Sequence, residues 1–203
     1  MIVFLNLLLA VTFTALGTFV PLRVPFLTWG EPALPAAQLV ASWGGVVFGW
    51  CTVSLQIPLV WLSGIVLGRR LGVVSMALLL ALGLSGLPIF MEGGGLGYLG
   101  RPTFGYLLGF LPAAYFCGIW AQPRIGERKL NSPLWILTGL VLGQLAMWAV
   151  GLSWQVIASG GALDRDIWYR SLLGLWQLGP SYLLLMIVVT LVGKPLSWLI
   201  LQR

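Results

Sequence analysis

Histidine is absent from this chain of 203 residues, and cysteine and charged residues are scarce. The absence of histidine excludes a histidine-based metal site and a histidine proton relay. The two cysteines, Cys51 and Cys117, each stand alone in apolar surroundings, so we predict no disulfide framework. Because the long apolar runs hold neither histidine nor a carboxylate, we expect no catalytic residue, no metal and no cofactor, and therefore a protein that is not an enzyme.

Charged residues make up only 8% of the chain, whereas a soluble domain has about 25%. They are confined to gaps between charge-free intervals, which are 2–22, 32–68, 71–91, 102–123, 130–163 and 171–193. A helix needs about 20 apolar residues to cross a bilayer, and most of these intervals are long enough. None of them shows the alternating pattern of a barrel strand. We therefore predict an all-α integral membrane protein that forms a single membrane domain over residues 1–203.

The charge-free intervals predict about six transmembrane helices, over residues 2–20, 53–68, 71–90, 103–121, 134–158 and 172–192. The remaining apolar run, Ala36–Cys51, would form a helix of about 24 Å, which falls short of the ~30 Å hydrocarbon core. We expect one extra short apolar helix there, re-entrant or interfacial, and a crossing helix is the alternative. The first helix has no basic residue before Arg23, so we expect it to be retained rather than cleaved as a signal peptide.

The charges divide unevenly between the two ends of a six-helix bundle. One end carries the carboxylate Glu127 and the cations Arg69, Arg70, Arg124, Arg128, Lys129, Lys194 and Arg203, a sum of +6. The other end sums to zero, from Arg23, Arg101, Arg165 and Arg170 against Glu31, Glu92, Asp164 and Asp166. Because excess Lys and Arg marks the cytoplasmic side, we predict a multi-pass protein of the bacterial plasma membrane with both termini in the cytoplasm. Membrane lipid then surrounds the protein, and we expect no nucleic-acid partner.

The segment from Leu84 to Gly118 contains an apolar helix end, a glycine-rich loop and the start of another apolar helix. In so apolar a chain, we expect this loop to be an extracellular lid that folds back over a small ligand. Gly95, Gly97 and Gly100 match the dinucleotide pattern G-x-G-x-x-G, but that motif works between a strand and a helix, and membrane helices flank it here. The chain also lacks the sequence G-x-x-x-x-G-K-[ST], so ATP-driven transport would require ATPase subunits from other chains.

Small residues recur at a spacing of four in two of the predicted helices. Gly105, Gly109 and Ala113 follow this spacing, which predicts close helix packing within the chain. Ala10 and Thr14 form a similar pair in the first helix, where docking of a partner helix is an alternative to packing within the chain. The tryptophans that are candidates to line an apolar pocket are Trp148, Trp154 and Trp176.

An ordered series of motifs resembles that of a known family. The series reads Gly86-Leu-Pro88-Ile-Phe90, Gly93-Gly94-Gly95-Leu, Pro102-Thr103-Phe-Gly105-Tyr106-Leu-Leu-Gly109-Phe110 and Ala113-Ala114. Two upstream motifs fit the same series, Val53-Ser54-Leu55-Gln56 and Gly68-Arg69-Arg70-Leu71-Gly72. Over residues 53–121 the chain thus resembles the BioY family, the biotin-binding substrate-specific subunits of energy-coupling factor transporters.

The resemblance implies six helices, a loop between the third and fourth helices that closes over biotin, and two kinds of partner. The partners would be a transmembrane coupling subunit and ATP-binding-cassette ATPase subunits. By position the lid corresponds to Pro88–Tyr106, and Gln56, Thr103 and Tyr106 are the polar residues expected to meet the ligand. The chain departs from the family in two places: Arg101 replaces a glycine of the lid, and the Asp and Lys of the last helix are missing near Pro180.

We hypothesise that Arg101 binds the carboxylate of biotin in place of the missing Lys. The residues expected to bind the ureido group are Gln56, Tyr106, Gln177, Ser181 and Tyr182. The loop residues that complete the candidate ligand-binding set are Glu92, Gly94, Gly95 and Thr103. The predicted function is high-affinity biotin binding and uptake across the cytoplasmic membrane. The alternatives are the same fold with a different small vitamin-like ligand, and a non-catalytic membrane scaffold.

Overall fold

The computed structural model describes residues 2–29, 38–43, 46–91, 93–121, 132–160 and 165–201. The helices in this part of the chain are α1 (Ile2–Gly17), α2 (Gln56–Leu84), α3 (Phe104–Leu108), α4 (Phe110–Ala121), α5 (Pro133–Ala158) and α6 (Arg165–Leu201). The strands are β1 (Pro21–Trp29), β2 (Gln38–Trp43) and β3 (Val46–Ser54). A short 3₁₀ helix, Leu96–Gly100, lies in the loop between α2 and α3.

Four helical segments of the described chain are long and apolar enough to cross a membrane. They are Gln56–Leu84, Phe104–Ala121, Pro133–Ala158 and Ser171–Leu196, and α1 is apolar but shorter. The helices predicted over 103–121, 134–158 and 172–192 are thus confirmed. α5 begins with Pro133, which suits the first turn because the N–H groups there have no partner within the helix. The fold is mostly helical, as the charge-free intervals indicate.

α2 does not run straight, because it folds back on itself at Gly68. This residue has φ 78° and ψ 177°, a conformation that glycine adopts without steric cost. A Cβ atom placed on Gly72 would lie 3.1 Å from the Cα atom of Gly64, whereas eight residues of straight helix are about 12 Å long. The two arms of α2 on either side of Gly68 therefore lie side by side. Arg69 and Arg70 are exposed at the bend, where a tight turn is predicted.

The expected helix over Ala36–Cys51 is wrong in the residues that the structure describes, and so is the expectation of an all-α fold. β2 and β3 lie there and form an antiparallel sheet with β1, in the order β1-β3-β2. β3 consists largely of β-branched and aromatic residues, which favour a pleated strand. Its side chains alternate between exposed and buried from Phe48 to Val53, the period of two that a strand requires. The start of the expected helix, 36–37, lies outside the described residues.

Small residues let α3 and α4 approach α5 closely. A Cβ atom on Gly109 would lie 2.8 Å from the Cα atom of Met147. A Cβ atom on Gly143 would lie 2.9 Å from the carbonyl oxygen of Ala113. Any larger side chain at either glycine would push the helices apart. The close packing that the four-residue spacing of Gly109 and Ala113 predicts is therefore confirmed.

The helices define two ends of the bundle. At one end α1 stops where α2 begins, and the loop between α2 and α3 meets the last turns of α5 through a hydrogen bond from Trp154 to Arg101. We call this the loop end, and it also carries the sheet. At the opposite end, the backbone of Arg69 lies against Gly118. The predicted site residues belong to elements that meet at, or just below, the loop end.

Candidate functional site

Three aromatic rings from α2, α5 and α6 meet in the core below the loop end. The ring of Tyr182 on α6 is edge-on to Trp61 of α2, with ring centroids 6.0 Å apart. It is also edge-on to Trp148 of α5, at 6.1 Å. Trp61 is fully buried and Tyr182 nearly so. Edge-to-face contacts of this kind hold rings in fixed orientations, and we call these three residues the aromatic cluster.

Buried polar atoms without a partner lie on the same two helices as Trp61 and Trp148. In the described part of the chain, Nε2 of Gln56, Nε1 of Trp61, and Nε2 and Oε1 of Gln144 make no hydrogen bond. Gln144 precedes Trp148 by about one turn of α5 and is only 2% exposed. Oγ1 of Thr18, at the end of α1, is a further atom of this kind. Each such atom costs about 1–3 kcal/mol when left unsatisfied, so three N–H donors and one acceptor on α2 and α5 are suited to a small polar ligand.

α6 carries two more polar residues, Gln177 and Ser181, within five residues of Tyr182 along the chain, and both are fully buried. The hydroxyl of Ser181 donates a hydrogen bond of 2.6 Å to the carbonyl oxygen of Pro25, which fastens β1 to α6. Ser181 also lies within hydrogen-bonding reach of Cys51 on β3. Burial raises the pKa of the Cys51 thiol, which therefore stays protonated and unreactive at neutral pH. The sheet is thus attached to α6 beside the candidate site.

The glycine-rich loop folds onto the end of α2. The backbone N–H of Gly95 donates to the carbonyl oxygen of Gly83 at 2.8 Å, and Phe90 and Gly93 exchange two backbone hydrogen bonds. The ring of Phe90 is almost fully buried and lies directly against Gly83, where a side chain would overlap it. A Cβ atom on Gly94 would likewise overlap the carbonyl oxygen of Leu87, and Gly95 has φ 93°. The path of the loop therefore depends on glycine at Gly83, Gly94 and Gly95.

Arg101 follows the loop and is anchored through its backbone. Its carbonyl oxygen accepts a hydrogen bond of 3.2 Å from Nε1 of Trp154 on α5. Its guanidinium carbon lies 5.5 Å from the centre of the Tyr98 ring, within the range of a cation–π contact. Phe104 packs edge-on against both Tyr98 and Trp154. The exposed Arg101 side chain therefore sits on a fixed aromatic support at the rim of the loop end.

The other predicted loop-end residues are more scattered. Tyr106 is half-buried in α3, and its ring lies directly against Gly151 of α5. Thr103 is exposed just before α3 and makes no side-chain capping bond. Glu92 lies outside the described residues. Among the predicted residues of α2 and α6, Tyr182 belongs to the aromatic cluster and Ser181 directly precedes it, while Gln56 and Gln177 are buried.

Positions along α5 show how the polar groups are arranged with depth. Trp154 holds the rim at Arg101, Trp148 lies in the aromatic cluster, and Gln144 is deepest. Ten residues of helix separate Trp154 from Gln144, which is about 15 Å. The candidate site therefore has a cationic group at the rim and uncharged amide groups in the interior.

Trp61 and Gln144 are candidate site residues that the sequence alone does not predict. A single tryptophan or glutamine in an apolar helix belongs to no motif. For Gln144 the one available signal was the presence of an amide inside the charge-free run 130–163. Of the tryptophans predicted to line a pocket, Trp148 does face the interior and contacts Tyr182. Trp176 is 79% exposed and lies outside the cluster.

Known proteins of similar sequence carry one family name. The sequence model of the BioY family matches residues 33–201. A biotin transporter BioY from Thermotoga maritima is 35% identical over 118 residues, which are 58% of this chain and 66% of that protein. A probable biotin transporter BioY from Lysinibacillus sphaericus is 36% identical over 105 residues, 52% of either chain. The chain thus spans between half and two thirds of the length of these relatives.

A solved structure shares the fold. The crystal structure of the S-component for biotin from an ECF-type ABC transporter superposes with a TM-score of 0.64 and 20% identity. The superposition covers 94% of this chain and 89% of that one. At this identity the likeness concerns the fold alone, whereas the family match runs from before β2 to the end of α6. Because that match covers most of its length, the chain belongs to the BioY family.

Proposed function

We propose that this protein binds biotin with high affinity and takes it up across the bacterial plasma membrane. It would act as the substrate-specific subunit of an energy-coupling factor transporter, and it would perform no chemistry on its ligand. The observation that carries the proposal is the set of unpartnered buried atoms on Gln56, Trp61 and Gln144 beside the aromatic cluster. Biotin is the proposed ligand because the BioY relatives are named as biotin transporters.

The chemistry of biotin fits these atoms. Its cyclic urea has one carbonyl oxygen and two N–H groups, so it needs both donors and acceptors. The N–H groups of Gln56, Trp61 and Gln144 are donors for the urea oxygen, and Oε1 of Gln144 is an acceptor for a urea N–H. The rings of Trp148 and Tyr182 offer apolar walls for the thiophane ring. A few polar groups in an apolar site are the usual design for small-molecule recognition.

The carboxylate of biotin would bind at the rim. Arg101 is the cation there, and an arginine–carboxylate pair is charge-assisted and strong. The segment Pro88–Tyr106 would serve as the extracellular lid, with Gly94 and Gly95 setting its path. The residues that would complete the site from the lid and from α6 are Glu92, Thr103, Tyr106, Gln177, Ser181 and Tyr182.

The bend in α2 supports a six-span topology, in which each arm would cross as a helix shorter than a straight span. If each arm of α2 crosses, then α1, the two arms, α3 with α4, α5 and α6 make six crossings of one membrane domain, 1–203. The bend places the exposed Arg69 and Arg70 at the end opposite the loop. Lys194 lies near the end of α6 on that same side. Excess positive charge faces the cytoplasm, which would put both termini inside and the glycine-rich loop outside.

A groove between α1, α2 and α6 would receive the transmembrane coupling subunit, to which the ATPase subunits bind. Its volume is about 450 Å³, and its lining residues are Asn6, Leu9, Ala10, Phe13, Thr14, Leu59, Leu62, Ser63, Val66, Leu67 and Leu196. Asn6 is an amide within an apolar helix, and such groups join helices in membranes by hydrogen bonding to a partner. The groove includes Ala10 and Thr14, the small pair for which partner docking is an alternative.

Calorimetric titration of the purified protein in detergent tests this proposal. We expect saturable, tight binding of biotin at one site, and no binding of thiamine or riboflavin. Circular dichroism confirms that the sample is folded. A folded sample that binds thiamine or riboflavin but not biotin would favour the same fold with a different ligand. A folded sample that binds none of the three would favour a scaffold.

A further inference from the structure

The sheet has one face turned toward the bundle and one face turned away from it. The inward residues Val24, Phe26, Cys51 and Val53 are buried, with Leu178 and Leu185 of α6 packed against them. On the other face, Arg23 pairs with Thr52, Pro25 with Trp50 and Leu27 with Phe48 across β1 and β3. We call this second set of residues the outer sheet face, and it comprises Arg23, Pro25, Leu27, Phe48, Trp50 and Thr52.

The outer sheet face is apolar and exposed. Leu27, Phe48 and Trp50 are 53%, 37% and 41% exposed, and the rings of Phe48 and Trp50 contact each other edge-on. Adjacent exposed aromatic and aliphatic groups of this kind mark an interaction surface rather than a solvated one. Among the residues described on this face, the single charge is the cation Arg23.

The outer sheet face follows the apolar surface of α1 along the chain. Leu16, in the last turn of α1, and Phe19, just after the helix, are 57% and 59% exposed, and β1 begins two residues after Phe19 at Pro21. A helix as apolar as α1 exposes such side chains to lipid rather than to water. The sheet therefore begins directly after a helix with a lipid-facing surface, on the loop-end side of the bundle.

We propose that the outer sheet face is a membrane-interface anchor that contacts the headgroup region of the lipid at the loop end. Tryptophan is enriched at this depth because its ring is amphipathic, and Trp50 supplies such a ring. The Arg23 guanidinium binds lipid phosphate, for which its planar donors are well matched. The anchor holds the inner sheet face against α6 beside the candidate site. This inference does not depend on the identity of the transported ligand.

Fluorine NMR of the protein in lipid nanodiscs tests the proposal. The protein is labelled with 5-fluorotryptophan, and the Trp50 resonance is assigned as the one lost in W50F. The Trp61 resonance, assigned through W61F, is the control because Trp61 is fully buried. A nitroxide lipid labelled near the headgroup should broaden the Trp50 signal strongly and leave the Trp61 signal sharp. A soluble gadolinium chelate should broaden neither signal.

Two results would overturn the proposal. Broadening of Trp50 by the chelate but not by the lipid would show a water-facing surface. Insensitivity of Trp50 to both agents would show that protein covers it. For the phosphate contact, the probes are nanodiscs of phosphatidylcholine with and without phosphatidylglycerol. The anionic lipid should increase the broadening of Trp50, R23K should keep this increase, and R23Q should abolish it. An equal increase in R23Q would contradict the role of Arg23.

Discussion

The ring of Tyr182 lies edge-on to the indole of Trp61, with ring centroids 6.0 Å apart, and the indole N–H finds no hydrogen-bond partner among the described residues. The contact fixes a buried donor at the junction of α2 and α6. A donor fixed in advance loses little conformational entropy when a ligand binds. Ligand affinity should therefore depend on this N–H group and not on the ring alone.

Trp61→Phe tests that dependence, because it removes the N–H group and keeps an aromatic ring. We expect biotin affinity to fall about fivefold to tenfold, the effect of losing one hydrogen bond worth roughly 1 kcal/mol. The control is Trp135→Phe, since Trp135 is half exposed at the other end of the bundle. Calorimetry measures Kd for both variants, and equal losses in the two would count against a donor role for Trp61.

Gln144→Leu should separate binding from stability. The substitution removes two unpartnered buried atoms, so the melting temperature should stay the same or rise. Biotin affinity should fall about tenfold or more, because both a donor and an acceptor are lost. Thermal unfolding and calorimetry on one preparation measure the two effects.

Gln155→Leu is the matched control on the same helix. Gln155 is also buried, but its Nε2 donates a hydrogen bond of 3.1 Å to the hydroxyl of Ser171. Its loss should lower the melting temperature and leave biotin affinity unchanged. If Gln144→Leu instead lowers stability and spares affinity, Gln144 is a packing residue and not a ligand contact.

Arg101→Ala should weaken biotin binding tenfold or more, because a charge-assisted pair is worth ~1.5–3 kcal/mol. Arg101→Lys should keep part of the affinity, since it retains the charge but not the planar donors. Biotinamide, which lacks the carboxylate, provides the control ligand. Wild type and Arg101→Ala should bind it equally, and unchanged binding of biotin itself by Arg101→Ala would refute the assignment.

Gly83→Ala should detach the loop from α2. A Cβ atom there would overlap the ring of Phe90, so the ring and its neighbours must move. We expect faster proteolysis within the loop and weaker biotin binding. Gly97→Ala is the control, because a Cβ atom at Gly97 meets no atom within 4 Å. If both variants are cleaved at the wild-type rate, docking of the loop does not depend on contact between Phe90 and Gly83.

Charge distribution alone predicts most of the helical part of the fold. α5 fills a charge-free run, and its limits, Pro133 and Ala158, agree closely with the expected 134–158. The bend in α2 is also predictable, since Gly68 precedes two arginines between apolar runs. Placing a charge in a bilayer is costly, so the positions of the charged residues along the sequence show where the helices end.

The sheet was not predictable in the same way, and the reason is physical. β3 alternates between exposed and buried side chains, yet its exposed Phe48 and Trp50 are as apolar as its buried Cys51 and Val53. When both faces of a strand are apolar, a hydropathy pattern shows no period of two. The run therefore looks like a short apolar helix. Gln144 escaped prediction for a different reason, because its significance lies in having no partner, and only the packed structure shows this.

The central claim is that the unpartnered atoms beside the aromatic cluster bind the urea of biotin. The most direct test is a cycle of four dissociation constants, for biotin and for 2-thiobiotin, with wild type and with Gln144→Leu. Thiobiotin replaces the urea oxygen by sulfur, a much weaker acceptor. If Gln144 donates to that oxygen, the wild type should bind 2-thiobiotin more weakly than it binds biotin. The same loss of affinity should be about tenfold smaller in Gln144→Leu, so that the effects of the two changes are not additive. Additive free energies within error would contradict the claim.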